Sequence, residues 1–361
     1  MPCPRTPTFH TLALMLAVLA SAASADTRTW PGSTPCNASL QTCVNAASQG
    51  DRIEIATDTP IAETVITSNR NISVVAATGF HPRFAAGHNL GISSSLSNGG
   101  PAFMQVEVAG LAFDGGCLGY TSDVPGIVEF HDLDITMPAN GCGTGIAITL
   151  NASPGNALNT ALYIERARVS TSLSAIAGIN IQSARDTFAT LTDNLVDSQP
   201  GTPSTGPIAF RRGISISHTV GQGTYYLWRN RVTDHRDPSI AAARLRTGLF
   251  AAVDGTGVMH LRIADSAFRT GTTSGDYGVQ INAFGGSVFA EAYHNTVITD
   301  GGGGIAMLRQ SANPLPMSLD TYNNLLATSS SRVAILADPP EGIAVFNDYN
   351  LLSGSSGDTG I

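Results

Sequence analysis

Lysine is absent: all 19 basic residues among the 361 are arginine. That removes Schiff-base chemistry, a lysine general base and any phosphate loop of the Gly-Lys-Ser/Thr kind. Charge of either sign is sparse, at 13% of residues, and it leans acidic with a formal net charge of −8. A chain of that sign is poorly suited to nonspecific nucleic-acid binding. Beyond the N-terminus no apolar run approaches 18 residues, so no membrane insertion is expected. Gly-x-Ser-x-Gly, His-Glu-x-x-His and an Asp-rich hydrolase pattern with Gly-His-Gly are all missing, and His131, His218, His260 and His294 stand at no metal-ligand spacing. No metal site is expected on those grounds.

Cysteine is scarce too, with five residues. The chain opens with Arg5, an apolar run from Leu12 to Ala20 and the small-residue site Ala23-Ser24-Ala25, which is how a secretory signal peptide is built. Cleavage after Ala25 takes Cys3 and Arg5 away, leaving four cysteines and a net charge of −9 in a secreted or periplasmic protein. An even number of cysteines in an oxidising compartment predicts two disulfides.

What the chain does have is a repeat. Tyr322-Asn323-Asn324-Leu325-Leu326 returns as Asp348-Tyr349-Asn350-Leu351-Leu352, and upstream as His294-Asn295-Thr296-Val297, Arg229-Asn230-Arg231-Val232 and Asp193-Asn194-Leu195-Val196. Its anchor position runs Leu111, Leu133, Ala167, Asn194, Asn230, Ser266, Asn295, Asn324, Asn350, at intervals of 22 to 36 residues. Such a period is the signature of a solenoid. Two residues after each anchor the chain is apolar nine times in nine: Phe113, Ile135, Val169, Val196, Val232, Phe268, Val297, Leu326 and Leu352. Columns five and three residues before the anchor are also largely apolar, so two short strands with one buried face meet at a bend. An inward Asn at that bend satisfies its amide by stacking on the Asn of the next coil, about 4.8 Å away. Gly145-Ile146-Ala147-Ile148 and its copies from Gly178, Gly213, Gly278 and, more loosely, Gly304 add a third strand per coil.

The predicted fold is all-β, a right-handed parallel β-helix with a short capping helix at its N-terminal end. Residues 1–25 are the leader, 26–50 the cap and 51–361 the solenoid. The cap is read from Asn37 to Ser48, with Leu40, Cys43, Val44 and Ala47 on one face and Gly50 as its stop. Cys117 and Cys142 are 25 residues apart, about one coil, and fit one outer corner of neighbouring coils; Cys36 then pairs with Cys43.

The Leu40-x-x-Cys43-Val44-x-x-Ala47 opening, Gly50-Asp51-x-Ile53-x-Ile55, Asn71-Ile72-Ser73-Val74 and the later Asn-x-Val coils resemble secreted bacterial β-helix repeat proteins of the pectin-lyase-like superfamily, over about residues 36 to 361. The resemblance implies a fold more than an activity, since that superfamily holds lyases, hydrolases, esterases and adhesins. It also implies further chain: Ile361 falls within a coil with no cap in view, so a C-terminal partner domain or a missing cap is expected.

Two coil intervals of 36 residues, on either side of Asn230, predict long loops on one side of the tube. Nine arginines lie between Arg211 and Arg269 against four aspartates, a local +5 in a chain otherwise at −14. Arg211, Arg212, Trp228, Arg229, Arg231, Asp237, Arg244 and Arg246 are therefore candidate contacts to an acidic polysaccharide, because guanidinium forks bind carboxylates bidentately. The alternative is that these arginines pair with acids of neighbouring coils, as Arg166 and Arg168 would with Asp132 and Asp134. Asp234, His235 and Arg236 are similar in type to the set with which pectate-lyase-like enzymes hold Ca²⁺ and take a ring proton. That likeness implies a lyase site, with calcium if so. Glu107 with Glu129, and Glu291 with Asp320, share an outward column at a spacing suited to glycoside hydrolysis. Trp228, Tyr226, Tyr293 and Tyr322 project outward, where they can stack on sugar rings. The expected function is a binding or surface-interaction scaffold for an acidic polysaccharide, extracellular or on a cell surface. A polysaccharide lyase or glycosidase, and an adhesin that binds no glycan, are the alternatives.

Overall fold

A computed structural model describes residues 25–137, 142–152, 159–171, 176–198, 212–234, 246–271, 277–309, 315–328, 333–338, 342–353 and 359–360. The expected leader, residues 1–25, lies outside them but for its last residue. The described strands form three sheets of 12, 10 and 11 strands, every pairing parallel, and each coil from Ile72 onward gives one strand to each sheet in turn. Thus Thr187–Thr192 enters the first sheet, Leu195–Ser198 the second and Arg212–His218 the third. The chain is a parallel β-helix.

The apolar columns are the core. Val106, Val128, Leu162, Ala189, Tyr225, Leu261, Ala290, Leu319 and Val345 are partners in unbroken register down the first sheet. Phe113 through Leu352 do the same down the second. A third file, Ile146, Ile179, Ile214, Leu249, Val279, Ile305 and Ile335, lines the third sheet. Leu249 belongs to a copy of the glycine phrase, Gly248-Leu249-Phe250-Ala251, that lacks isoleucine and is therefore not evident from sequence. All three files point inward and are almost wholly buried except in the last described coil, where Val345 and Leu352 are half-buried; this apolar transfer holds the tube together.

The bend between the first and second sheets has a backbone cause. The residue before every anchor is left-handed: Gly110, Asp132, Arg166, Asp193, Arg229, Asp265, His294, Asn323 and Tyr349 have φ between 50 and 70°. One such residue turns the chain sharply, and for a side chain other than glycine it costs about 1 kcal/mol or more. The buried anchor beside it holds the conformation. Ala167 N–H donates to Asn194 Oδ1 at 3.0 Å, Asn194 Nδ2 to Asn230 Oδ1 at 2.9 Å, and Asn230 N–H to Ser266 Oγ at 3.1 Å. Ser266 N–H donates to Asn295 Oδ1, Asn295 Nδ2 to Asn324 Oδ1 and Asn324 Nδ2 to Asn350 Oδ1 at 3.0, 3.0 and 2.8 Å. The asparagine file expected from sequence is thus continuous over six coils, bridged by one serine.

The N-terminal end is closed by a helix at Leu40–Ala46, shorter than the predicted span and capped by Ser39, whose side chain accepts from the Thr42 amide. It ends at Ala47 in extended backbone, so Gly50 does not stop it. The Glu63 carboxylate accepts from the Leu40 and Gln41 amides, the donors left free at a helix start. Ahead of the helix, Thr27–Trp30 adds an edge strand to the first sheet beside Arg52–Ile55; this strand has no repeat partner and was not expected. Both disulfides form as the spacing predicts, Cys36–Cys43 and Cys117–Cys142, with Cα atoms 4.3 and 6.1 Å apart.

One buried group makes the tube sensitive to pH. His218 has no exposed surface; its Nδ1 lies 3.0 Å from Tyr225 Oη and its Nε2 3.0 Å from the Gly221 carbonyl. Burial pushes its pKa down, against smaller upward pulls from the Gly221 carbonyl and Asp186. A depressed histidine keeps its full contribution above the unfolded value of about 6.5 and loses it as pH falls, because only the unfolded chain then takes up the proton. Urea unfolding of wild type and His218→Gln should show a stability gap that narrows between pH 7.5 and pH 5. A gap independent of pH would assign His218 a packing role alone.

Candidate functional site

The insertions 199–211 and 235–245 lie outside the described residues, and with them Arg211, His235, Arg236, Asp237 and Arg244. Their flanks show where the chain passes. Ser198 and Asp234 end second-sheet strands, and Arg212 and Thr247 begin third-sheet strands, so both insertions connect the second sheet to the third. Asp234 belongs to the strand and not to the loop: it is 4% exposed and accepts from Ser198 Oγ at 2.6 Å. A carboxylate enclosed there is not presented to a polymer outside, which removes the described member of the expected lyase set from the surface.

The described arginines do not build one wall. Arg212 sits on the third sheet, half-buried with its guanidinium 3.4 Å from the centre of the Phe250 ring, and Arg246 lies just before the next strand of that sheet. Arg231 and Arg269 face outward on the second sheet, Arg262 on the first, and Arg229 occupies the bend between those two. A coil circles the tube, so arginines adjacent in sequence point to different sides. The cationic band counted along the chain is dispersed in space.

At the bend the arginines have a structural use. The left-handed column alternates in sign through five coils as Asp132, Arg166, Asp193, Arg229 and Asp265, and His294 follows in the next. Arg166 grips Asp132 with Nε and Nη2 at 2.6 and 2.8 Å, and Arg229 grips Asp193 at 2.7 and 2.6 Å. His294 Nδ1 is 3.4 Å from Asp265. The Arg166 fork, against a smaller opposing effect of burial, holds the Asp132 carboxyl down at about 2, and the Arg229 fork likewise lowers Asp193. Pairing between coils, the alternative weighed for these arginines, is what Arg166 and Arg229 do.

The outer face of the first sheet gathers rings instead. Successive coils carry Tyr163, Phe188, Tyr226 with Trp228, His260, Phe289 with Tyr293, and Tyr322. Centroids are 6.4 Å apart for Tyr163 and Phe188, 5.5 Å for Phe188 and Tyr226, 5.1 Å for stacked His260 and Phe289, and 5.2 Å for stacked Tyr293 and Tyr322. Trp228 is 48% exposed, its indole N–H donating to Asp265 at 2.8 Å and its ring covered by Arg229 at 4.5 Å. Two depressions of about 290 and 610 Å³ share Tyr226 and Arg262. A third, of about 370 Å³, reaches Tyr163 beside Glu129 and Glu165. Tyr226, Trp228, Tyr293 and Tyr322 were singled out from sequence. Tyr163, Phe188, His260 and Phe289 were not, although strand alternation places them on the same face.

Among the described residues no three His, Cys, Asp or Glu side chains gather as a metal would require, and no helix is long and apolar enough to cross a membrane. No family model, curated protein or solved structure matches this chain. The ring-bearing face is the feature from which a function has to be argued.

Proposed function

We propose that this is a secreted β-helix that binds polysaccharide along the outer face of its first sheet. The observation that carries the reading is the row of rings from Tyr163 to Tyr322, partly exposed, stacked on one another in places and laid on the backbone of a sheet. A sugar ring presents axial C–H groups that pack on an aromatic face, and rings fixed by a sheet lose little freedom on binding. The two disulfides suit an oxidising compartment, and the N-terminal leader supports export. The pectin-lyase-like resemblance of the coil phrase agrees with a glycan ligand.

Replacing both Tyr226 and Trp228 by alanine should weaken binding to a retained polysaccharide at least tenfold, each ring supplying about 1 kcal/mol beyond buried area. Affinity electrophoresis over a panel of neutral, acidic and amino polysaccharides, with and without Ca²⁺, reads this directly. Unchanged retention of the double variant would remove the proposal, and retention of no polysaccharide would favour an adhesin without glycan contacts.

A glycosidase is the second reading, and one pair favours it. Glu291 and Asp320 are register partners on adjoining coils within the smaller shared depression, about 4.8 Å apart at the backbone and so near the carboxylate spacing of a retaining enzyme. Glu291 is held by Arg262 at 3.2 Å. Reducing ends released by wild type and not by Glu291→Gln or Asp320→Asn would establish turnover. A lyase at the long loops would instead release unsaturated products.

A further inference from the structure

Resting on the binding reading above, we infer that the ligand of the first-sheet face is a glycan carrying free amino groups, such as a 2-amino-2-deoxy polymer without N-acyl substituents, and not a polyuronate. One outward column runs in unbroken register through Glu129, Tyr163, Thr190, Tyr226, Arg262, Glu291 and Asp320. Six steps of about 4.8 Å make it roughly 29 Å long, enough for several sugar units laid along the axis of the tube. Both cations beside this column are already engaged by the protein. Arg262 is 3.2 Å from Glu291 with its guanidinium 4.9 Å from the Tyr293 ring, and Arg166 is bound by Asp132 and Glu165.

The acids at the two ends are not engaged in that way. Among the described residues neither Glu129 nor Asp320 has an ion-pair partner. Asp320 lines the depression, and its Oδ1 is enclosed without any hydrogen bond. Its register neighbours, Glu291 on one side and Phe346 on the other, offer no side-chain donor. That oxygen is closed off even from water, so a ligand reaches the carboxylate only at its other oxygen, where a donor offsets a charge that no described residue pairs. An ammonium group does so with charge as well as hydrogen bonds. A uronate would bring its carboxylate beside Asp320, and the described arginines beside this column, Arg166 and Arg262, already have acidic partners.

The test is titration calorimetry of wild-type protein with three oligosaccharides of equal length: glucosamine oligomers, their N-acetylated counterparts and oligogalacturonate. Glucosamine oligomers should bind at least tenfold more tightly than the N-acetylated chain, and oligogalacturonate most weakly. Asp320→Asn should erase most of that preference, and Asp134→Asn, an exposed acid on the second sheet, should leave the preference intact. Equal or tighter binding of the N-acetylated or uronate chain overturns the inference and leaves the ring platform standing. Equal loss in Asp134→Asn also overturns it, because attraction to overall negative charge then suffices. Binding of none of the three overturns the inference and counts against the platform with it.

Discussion

Asn324→Ala should destabilise the protein by about 4 kcal/mol, far beyond what an ordinary surface asparagine contributes. Asn324 is 1% exposed, and its Oδ1 accepts from both the backbone N–H and the side-chain Nδ2 of Asn295, at 2.9 and 3.0 Å. Its own Nδ2 donates to the Ala292 carbonyl and to Asn350 Oδ1, each at 2.8 Å. Alanine leaves the Asn295 amide, the Asn295 side chain and the Ala292 carbonyl short of partners in a dry interior, at about 1–3 kcal/mol for each group that fails to relax. Asn350→Ala should cost much less, since Asn350 is half-buried at the end of the file. Equilibrium denaturation of the two variants checks the contrast, and equal losses would show that the file is no cooperative ladder. Leu111 and Leu133 hold the same position in the first two of these coils and are buried without polar partners. An apolar file is therefore also viable, and converting Asn295, Asn324 and Asn350 together to leucine should cost less than the three single changes summed.

That contrast explains which parts of the molecule were legible in its sequence. The strand columns were, because a face buried at every second residue forces an alternation that survives degeneration of the repeat, as in Val106 to Val345. The asparagines and the Cys117–Cys142 pair were legible for a related reason: stacking places one position of every coil in one environment. The left-handed column was not. What Asp132, Arg166, His294 and Tyr349 share is a backbone angle, and their side chains, free to point outward, carry no common chemistry. The described arginines of the band part company because the chain that carries them winds round a tube; Arg212, Arg229 and Arg262 end on the third sheet, a bend and the first sheet. The ring row was half legible. Alternation from Tyr226 leads to Tyr163, and from Phe188 to His260 and Phe289, once the column is followed across coils and the long loops are set aside. Thr27–Trp30 had no signal, being a single edge strand outside the repeat.

A methyl group added at Gly278 should be nearly as damaging, and its cost should be relieved by a second change at a known place. The glycine that opens each third-sheet phrase lies against the apolar residue of the second-sheet file. A Cβ at Gly145, Gly178, Gly213, Gly248 or Gly278 would stand 2.6, 2.5, 2.3, 2.9 or 2.2 Å from a side-chain carbon of Val169, Val196, Val232, Phe268 or Val297. No side chain fits at those distances, so the phrase begins with glycine for want of space, its backbone being otherwise ordinary. Gly278→Ala should cost about 3 kcal/mol, the upper range for overpacking a close-packed core. Val297→Ala alone should cost about 2 kcal/mol as a cavity. The double variant removes the offending Cγ1 and fills part of the cavity with the new methyl, so it should lie at least 1 kcal/mol above the sum of the two losses. Additive losses in a denaturation cycle would mean that the glycine serves the backbone and not the contact. Coupling of the expected size would establish that the second and third sheets are spaced by this one interlock, repeated coil after coil, and that the width of the tube is set by glycine.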